Sequence, residues 1–177
     1  LKRLFAGECL RRPFVLWGYH GAGQRNPYED PAGWVAEALV DLAGKVDLLR
    51  DDDVFRPLVV EFTPYGVHFG DRILGAEVIE LTPDNWQVKR LEQPVGSLDP
   101  PDLENDETWA LARRTAEAFL AHNVAVPLFG LPVIASPLNV AVNLYGEDFV
   151  LALYTNPDAA HRDLRTTNDL LCTLHGL

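Results

Sequence analysis

The stretch Arg12-Pro13-Phe14-Val15-Leu16-Trp17-Gly18-Tyr19-His20-Gly21-Ala22-Gly23-Gln24-Arg25 sets the fold class. From Pro13 to Trp17 the apolar residues are continuous rather than alternating. That pattern predicts a short strand buried on both faces, as in a parallel sheet. A glycine-rich turn follows, from Gly18 to Arg25. Asp30-Pro31 then opens a helix, with Asp30 as the N-cap and proline at the first helical position. Val35, Leu39, Leu42 and Val46 recur at helical spacing and mark its buried face.

The same alternation continues outward. Leu58-Val59-Val60-Glu61-Phe62 predicts a second strand, and a loop with a short helix leads on to Gly75. Glu77 to Leu81 and Trp86 to Leu91 read as a small strand pair beside the main sheet, within residues 76–91. After a polar, proline-rich connection, Asn105 or Asp106 caps a helix with Trp109, Ala112, Ala116, Phe119 and Leu120 as its buried stripe, and Asn123 ends it. Val124 to Leu128 is the third main strand. Leu138 to Tyr145 is a helix, and Asn156-Pro157 opens a last helix with Ala160, Leu164, Leu171 and Leu174 inward. Strands alternating with helices predict a parallel α/β fold, a single domain over residues 1–177.

Acidic residues outnumber basic ones by 26 to 15, a net charge of −11, which argues against a nucleic-acid partner. It does not exclude an anionic small molecule, because a local arginine suffices to bind one. No run of about 18 apolar residues is present to suggest a membrane span. The opening Leu1 to Phe5 is broken by Gly7 and Glu8, unlike a signal peptide, so a cytoplasmic location is expected. Cys9 and Cys172 are far apart and form no metal or redox motif; Cys172 reads as a buried structural thiol. The absence of methionine and the ending at Leu177 predict a piece trimmed from a longer protein.

Several stretches together resemble the uroporphyrinogen decarboxylase family: Arg12-Pro13-Phe14-Val15-Leu16-Trp17 with its glycine-rich turn, Leu74-Gly75-Ala76-Glu77-Val78, and Ser136-Pro137 through Asn156-Pro157. The resemblance implies the N-terminal part of a TIM-type (β/α)8 barrel, a fold of roughly 250 residues. The family holds the haem-pathway decarboxylase of porphyrin metabolism, which is a lyase, and corrinoid-linked methyltransferases with a zinc-bound thiol. Against the decarboxylase pattern, the first carboxylate-holding arginine becomes His20, and the second becomes Gln24 unless the register slips onto Arg25. The family aspartate has no counterpart in Phe62-Thr63-Pro64-Tyr65-Gly66, and the family tyrosine falls on Asn143.

In such a barrel the C-terminal ends of the strands carry the site. The expected catalytic residues are His20, Glu61 and Tyr65, and the expected substrate-binding residues are Tyr19, Gln24, Arg25, Ser136, Asn139 and Asn143. His20 suits a general base or a hydrogen-bond donor to a carboxylate, against a plain role bonding loop backbone. Arg25 suits a carboxylate clamp, against a solvated surface arginine. Glu61 in an apolar strand needs a partner, either a substrate or a structural arginine, Arg56 or Arg72. His68 reads either as a loop residue or as a metal ligand with Glu61 or Asp71. Gly21 and Gly23 would let backbone approach a ligand closely. Asn139 and Asn143, four apart, share a helix face. The run Asp51-Asp52-Asp53 reads as a solvated turn, and Trp34 and Trp109 as helix packing.

These residues lead to a divergent lyase acting on a small polar or acidic substrate. A corrinoid-linked methyltransferase, with a corrinoid protein as partner, and a non-catalytic ligand-binding module stay open beside it. No cofactor is expected from this stretch, and zinc would need ligands from a second half. An open half-barrel leaves strand edges unpaired, so a homodimer is an expected partner state. Authentic uroporphyrinogen decarboxylation is not expected. Each arginine contact replaced by His20 or Gln24 removes about 1.5–3 kcal/mol. Two such losses amount to at least about two orders of magnitude in rate. A coproporphyrinogen-formation assay under reducing, dark conditions checks this, and turnover equal to a genuine decarboxylase would contradict it.

Overall fold

A computed structural model describes residues 6–8, 18–49, 54, 56–82, 85–125, 128–130 and 132–176. Among them lie five strands and six α-helices. They are β1 (Tyr19–Gly21), α1 (Pro31–Lys45), β2 (Leu58–Glu61), α2 (Phe69–Ile73), β3 (Glu77–Thr82), β4 (Asn85–Lys89), α3 (Glu107–Ala121), β5 (Leu128–Gly130), α4 (Pro137–Tyr145), α5 (Glu147–Thr155) and α6 (Pro157–His175). β1, β2 and β5 form one parallel sheet in the order β1-β2-β5. β3 and β4 form an antiparallel pair. The parallel sheet with intervening helices is consistent with part of a TIM-type fold.

The described strands coincide only in part with the expected ones. The first described strand is Tyr19–Gly21, inside the stretch read as a glycine-rich turn; the expected strand from Pro13 to Trp17 lies outside the described residues. The third is Leu128–Gly130 rather than Val124 to Leu128, and Val124 is exposed. Apolar character locates a strand only where a side chain must be buried. Gly21 and Gly130 pair by backbone and carry no apolar signal.

The chain forms two compact units. The first comprises Leu1–Phe62 and Leu111–Leu131. Its core is Trp34, Val35, Ala38 and Leu42 of α1 against Val60, Phe62 and Leu111. Rings tie the core together: Trp34 lies 5.6 Å from Phe62, and Phe119 lies 5.0 Å from Phe129. Val46, expected on the inner face of α1, is instead 41% exposed.

The glycines of β1 and its turn serve this packing. A side chain at Gly21 would strike the Ala38 carbonyl and Leu42, and one at Gly23 would strike Trp34. The turn's amides are also consumed. Ala22 donates to Asp41 at 3.0 Å, and Gln24 and Arg25 donate to Glu37 at 2.7 and 3.0 Å. Lys45, one helical step beyond Asp41, donates to the His20 carbonyl at 2.7 Å. Three side chains at four-residue spacing on α1 thus staple the turn.

The stripe on α3 keeps Ala112 and the partly buried Phe119 of the expected one but extends to other residues. Thr108, Leu111, Ala112 and Thr115 are buried, whereas Leu120 is 72% exposed. Thr115 enters the core because its hydroxyl donates to the Leu111 carbonyl four residues back, at 2.9 Å. Asp106 caps the helix by accepting from the Trp109 amide at 2.7 Å, and Asn123 follows its end with φ of 45°.

The second unit comprises Thr63–Ala110 and Pro132–Leu177. Phe69 and Ile73 of α2, Val140, Ala141 and Leu144 of α4, Phe149 of α5, and Ala160, Leu170 and Leu171 of α6 are buried. Ser136 caps α4 and Asn156 caps α6, each followed by proline. Asp163, fully buried on α6, accepts from the Gly96 and Leu98 amides at 2.7 and 3.1 Å and pins that loop. Cys172 is only half-buried.

Replacing Gly21 should therefore cost far more than replacing Gly44, which has open space around it on α1. Gly21→Ala should lower stability by about 1–3 kcal/mol through overpacking. Gly44→Ala should raise it by about 0.5–1 kcal/mol. Urea unfolding of the two variants checks the contrast, and equal midpoints would refute the packing role of Gly21.

Candidate functional site

In the first unit the strand register builds a polar pair. His20 pairs with Val59, and Glu61 pairs with Gly130. Val60 faces the α1 core, so Val59 and Glu61 lie on the opposite face by the two-residue pleat. Partners in register share a face, which places His20 and Gly130 there with Glu61. His20 Nδ1 accordingly stands 2.8 Å from Glu61 Oε2. The side chains are 42% and 34% exposed. Gly130 leaves room for the pair, because a side chain at that position would come within 2.7 Å of Glu61 Cγ.

Glu61 is thus partnered by His20, where an arginine was expected as its structural alternative. The arrangement offers a proton donor and a proton acceptor in hydrogen-bond contact on one face of parallel strands. Tyr19, two residues before Gly21, falls on the helix-facing side and does not join them. Arg25 donates to Asp30 at 2.6 Å and to Glu37 at 2.9 Å. The hydrogen bond from Arg25 is the main cause holding the Asp30 carboxyl below its ordinary pKa. Backbone donors at Arg25 and Gln24 are the main cause for Glu37. This arginine's charge is matched twice, by α1 and its N-cap.

In the second unit, Tyr65 adopts the left-handed region, φ 59° and ψ 20°, uncommon for a residue with a side chain. Its ring meets Trp86 edge-on at 5.4 Å, and the Arg72 guanidinium lies 5.5 Å from its centre. The chain then turns through a 3-10 segment, Gly66–His68, into α2. His68 Nδ1 stands 2.7 Å from Asp71 Oδ2. Asn143, from α4, donates to the same oxygen at 2.9 Å. Asp71 is fully buried, and the His68 side chain is 14% exposed.

Burial raises the Asp71 pKa, opposed by the hydrogen bonds from His68 and Asn143. Its other oxygen, Oδ1, is buried without a hydrogen-bond partner among the described residues. An unsatisfied buried acceptor costs about 1–3 kcal/mol, more when it is charged. Asn139 shares the helix with Asn143 but is exposed, and its amide donates to the capping Ser136 at 3.3 Å. Asp71 was read from sequence only as one of two metal-ligand partners for His68. Its signal was the three-residue spacing to His68, which puts both on one helical face. Among the described residues, no group of three or more His, Cys, Asp or Glu side chains converges as a metal site.

No family model matches the sequence, and no curated protein does. The structure gives a likeness that the sequence does not. The fold is similar to that of a methyltransferase from Methanosarcina mazei. The two superpose with a TM-score of 0.67 at 15% identity, over 97% of this chain and 52% of that one. The chain therefore spans about half the length of that protein. No helix among the described residues is long and apolar enough to cross a membrane.

The raised pKa of Asp71 has a consequence for stability. Folding favours its protonated form, so its stabilising contribution is full below the unfolded value of about 3.9 and is lost as pH rises through the higher folded value. Asp71→Asn removes this titration. The stability of the wild type relative to that variant should fall as pH rises from about 4 towards 7. Urea midpoints of both proteins across that range check it; a difference independent of pH would show that Asp71 ionises as easily folded as unfolded.

Proposed function

We propose that this chain is the N-terminal half of a barrel enzyme in the superfamily that joins uroporphyrinogen decarboxylases and corrinoid-linked methyltransferases. It acts on a small polar substrate, and its chemistry is methyl transfer rather than decarboxylation. The observation that carries the reading is the His20–Glu61 pair, 2.8 Å apart on the face of the parallel sheet away from α1. Ligand sites of parallel α/β folds gather at the strand ends where this pair lies. His20 is the acid–base group, and Glu61 orients its ring.

Two features favour methyl transfer. The similar fold is that of a methyltransferase. Decarboxylation of an acidic substrate needs an available cation to orient the carboxylate, and Arg25 is already matched by Asp30 and Glu37. Tyr65 and Asn143 remain candidates in the second unit, and Ser136 is the least suited because it caps α4. The described residues do not fit a zinc-bound thiolate: Cys172 lies on α6 beside Asn168, with no converging ligand set. A zinc site and a corrinoid-protein partner would belong to the rest of such a protein, and no step is assigned through them.

Methylcobalamin-dependent methylation of a small thiol by the whole gene product, followed by the absorbance change of the corrinoid, tests the proposal. Turnover is expected, with His20→Gln and Glu61→Gln each lowering kcat/KM by about 10²–10⁴-fold, the usual worth of an acid–base group. Turnover left intact by both substitutions would remove the pair from the chemistry. Ligand binding without turnover would favour a binding module.

A further inference from the structure

We propose that His68, held by Asp71 and Asn143, is a second acid–base site of this protein, serving a ligand that presents an O–H or S–H proton. The site lies wholly within the second unit and does not depend on the reading of His20 and Glu61.

Three observations carry it. The first is direction. Asp71 is fully buried and His68 is the outward member of the pair, 14% exposed. Nδ1 is spent inward on Asp71 Oδ2 at 2.7 Å. Nε2 lies across the ring from it and is the nitrogen a ligand would meet. In the tautomer that donates from Nδ1 to Asp71, Nε2 is left as an acceptor. The second is the carboxylate itself. The Asn143 amide donates to the oxygen that His68 uses, at 2.9 Å, while Oδ1 has no partner among the described residues. A helix position kept only for packing would not place a carboxyl group there with half its acceptors unmet. The third is the backbone. Tyr65 holds the left-handed conformation immediately before the segment, and its carbonyl accepts from the His68 amide at 3.0 Å. Strain of this kind accompanies functional sites when the surroundings hold it in place. Here Trp86 and Arg72 hold the Tyr65 ring.

The chemistry balances without a further reactant. The ligand's O–H or S–H bond breaks, its electron pair stays on oxygen or sulfur, and the proton forms the N–H bond at Nε2. The resulting imidazolium is matched by the Asp71 carboxylate. Asp71 is a positioning residue, and Asn143 keeps its bonded oxygen turned towards the ring.

Diethyl pyrocarbonate labelling of the full chain at neutral pH, mapped by mass spectrometry, tests the proposal. The reagent acylates an unprotonated imidazole nitrogen, releasing ethanol and carbon dioxide. Despite its lower exposure, His68 should react faster than the exposed His122, His161 and His175. In Asp71→Asn its rate should fall about tenfold, the change expected when one charge-assisted contact is lost, while the rates of the other three stay as they were. Those three rates also report whether the variant is folded. A wild-type His68 slower than the exposed histidines would overturn the proposal, and this arm does not depend on any variant. A His68 rate unaltered by Asp71→Asn would overturn the role of Asp71.

Discussion

The pleat parity of three short parallel strands governs the first unit. Each pairing in the order β1-β2-β5 is in parallel register, so one choice of face propagates across the sheet. Val60 must face α1 to be buried, and this sends Gly21 and Phe129 to the same side. His20, Glu61 and Gly130 are then committed to the other. A slip of one residue in β2 would turn the Glu61 carboxylate towards the core and away from His20. The apolar core therefore fixes which polar residues meet on the other face. A hydrogen-bonded pair with side chains 42% and 34% exposed contributes only about 0–1 kcal/mol by itself.

Helix starts were legible from sequence because they are local. Asp30, Asp106 and Asn156 each satisfy an amide two or three residues on, and that geometry needs nothing from the rest of the chain. Strand limits were less legible. Gly21 and Gly130 are strand residues chosen for what they lack. At Gly21 the missing side chain lets α1 approach, and at Gly130 it leaves space for Glu61. Apolar periodicity cannot register a vacancy. The face of α3 was legible only in part for a related reason: Thr108 and Thr115 lie inward beside the expected Ala112, and Thr115 meets its hydrogen-bond need within its own helix.

The candidate site was legible as a set of residue types but not as a set of partners. His20 and Glu61 were both singled out, yet their contact follows from a register between segments about 40 residues apart, which sequence spacing does not encode. Arg25 shows the converse. Its side chain type suits carboxylate binding, but α1 and its N-cap supply two carboxylates within 3 Å. Charge counted along the chain overstates the cations available to a ligand.

Asp71 and Asp163 show how differently one residue type behaves when buried. Asp163 spends both oxygens on backbone amides, at 2.7 and 3.1 Å, and its position is explained by the loop that it pins. Asp71 directs one oxygen to two side chains and leaves the other without a partner among the described residues. Desolvation disfavours its charge, so the carboxylate holds a proton more readily than an exposed one would. The two acids thus share full burial and differ in how completely their lone pairs are used. Completeness of hydrogen bonding, more than burial or charge, separates these two buried acids.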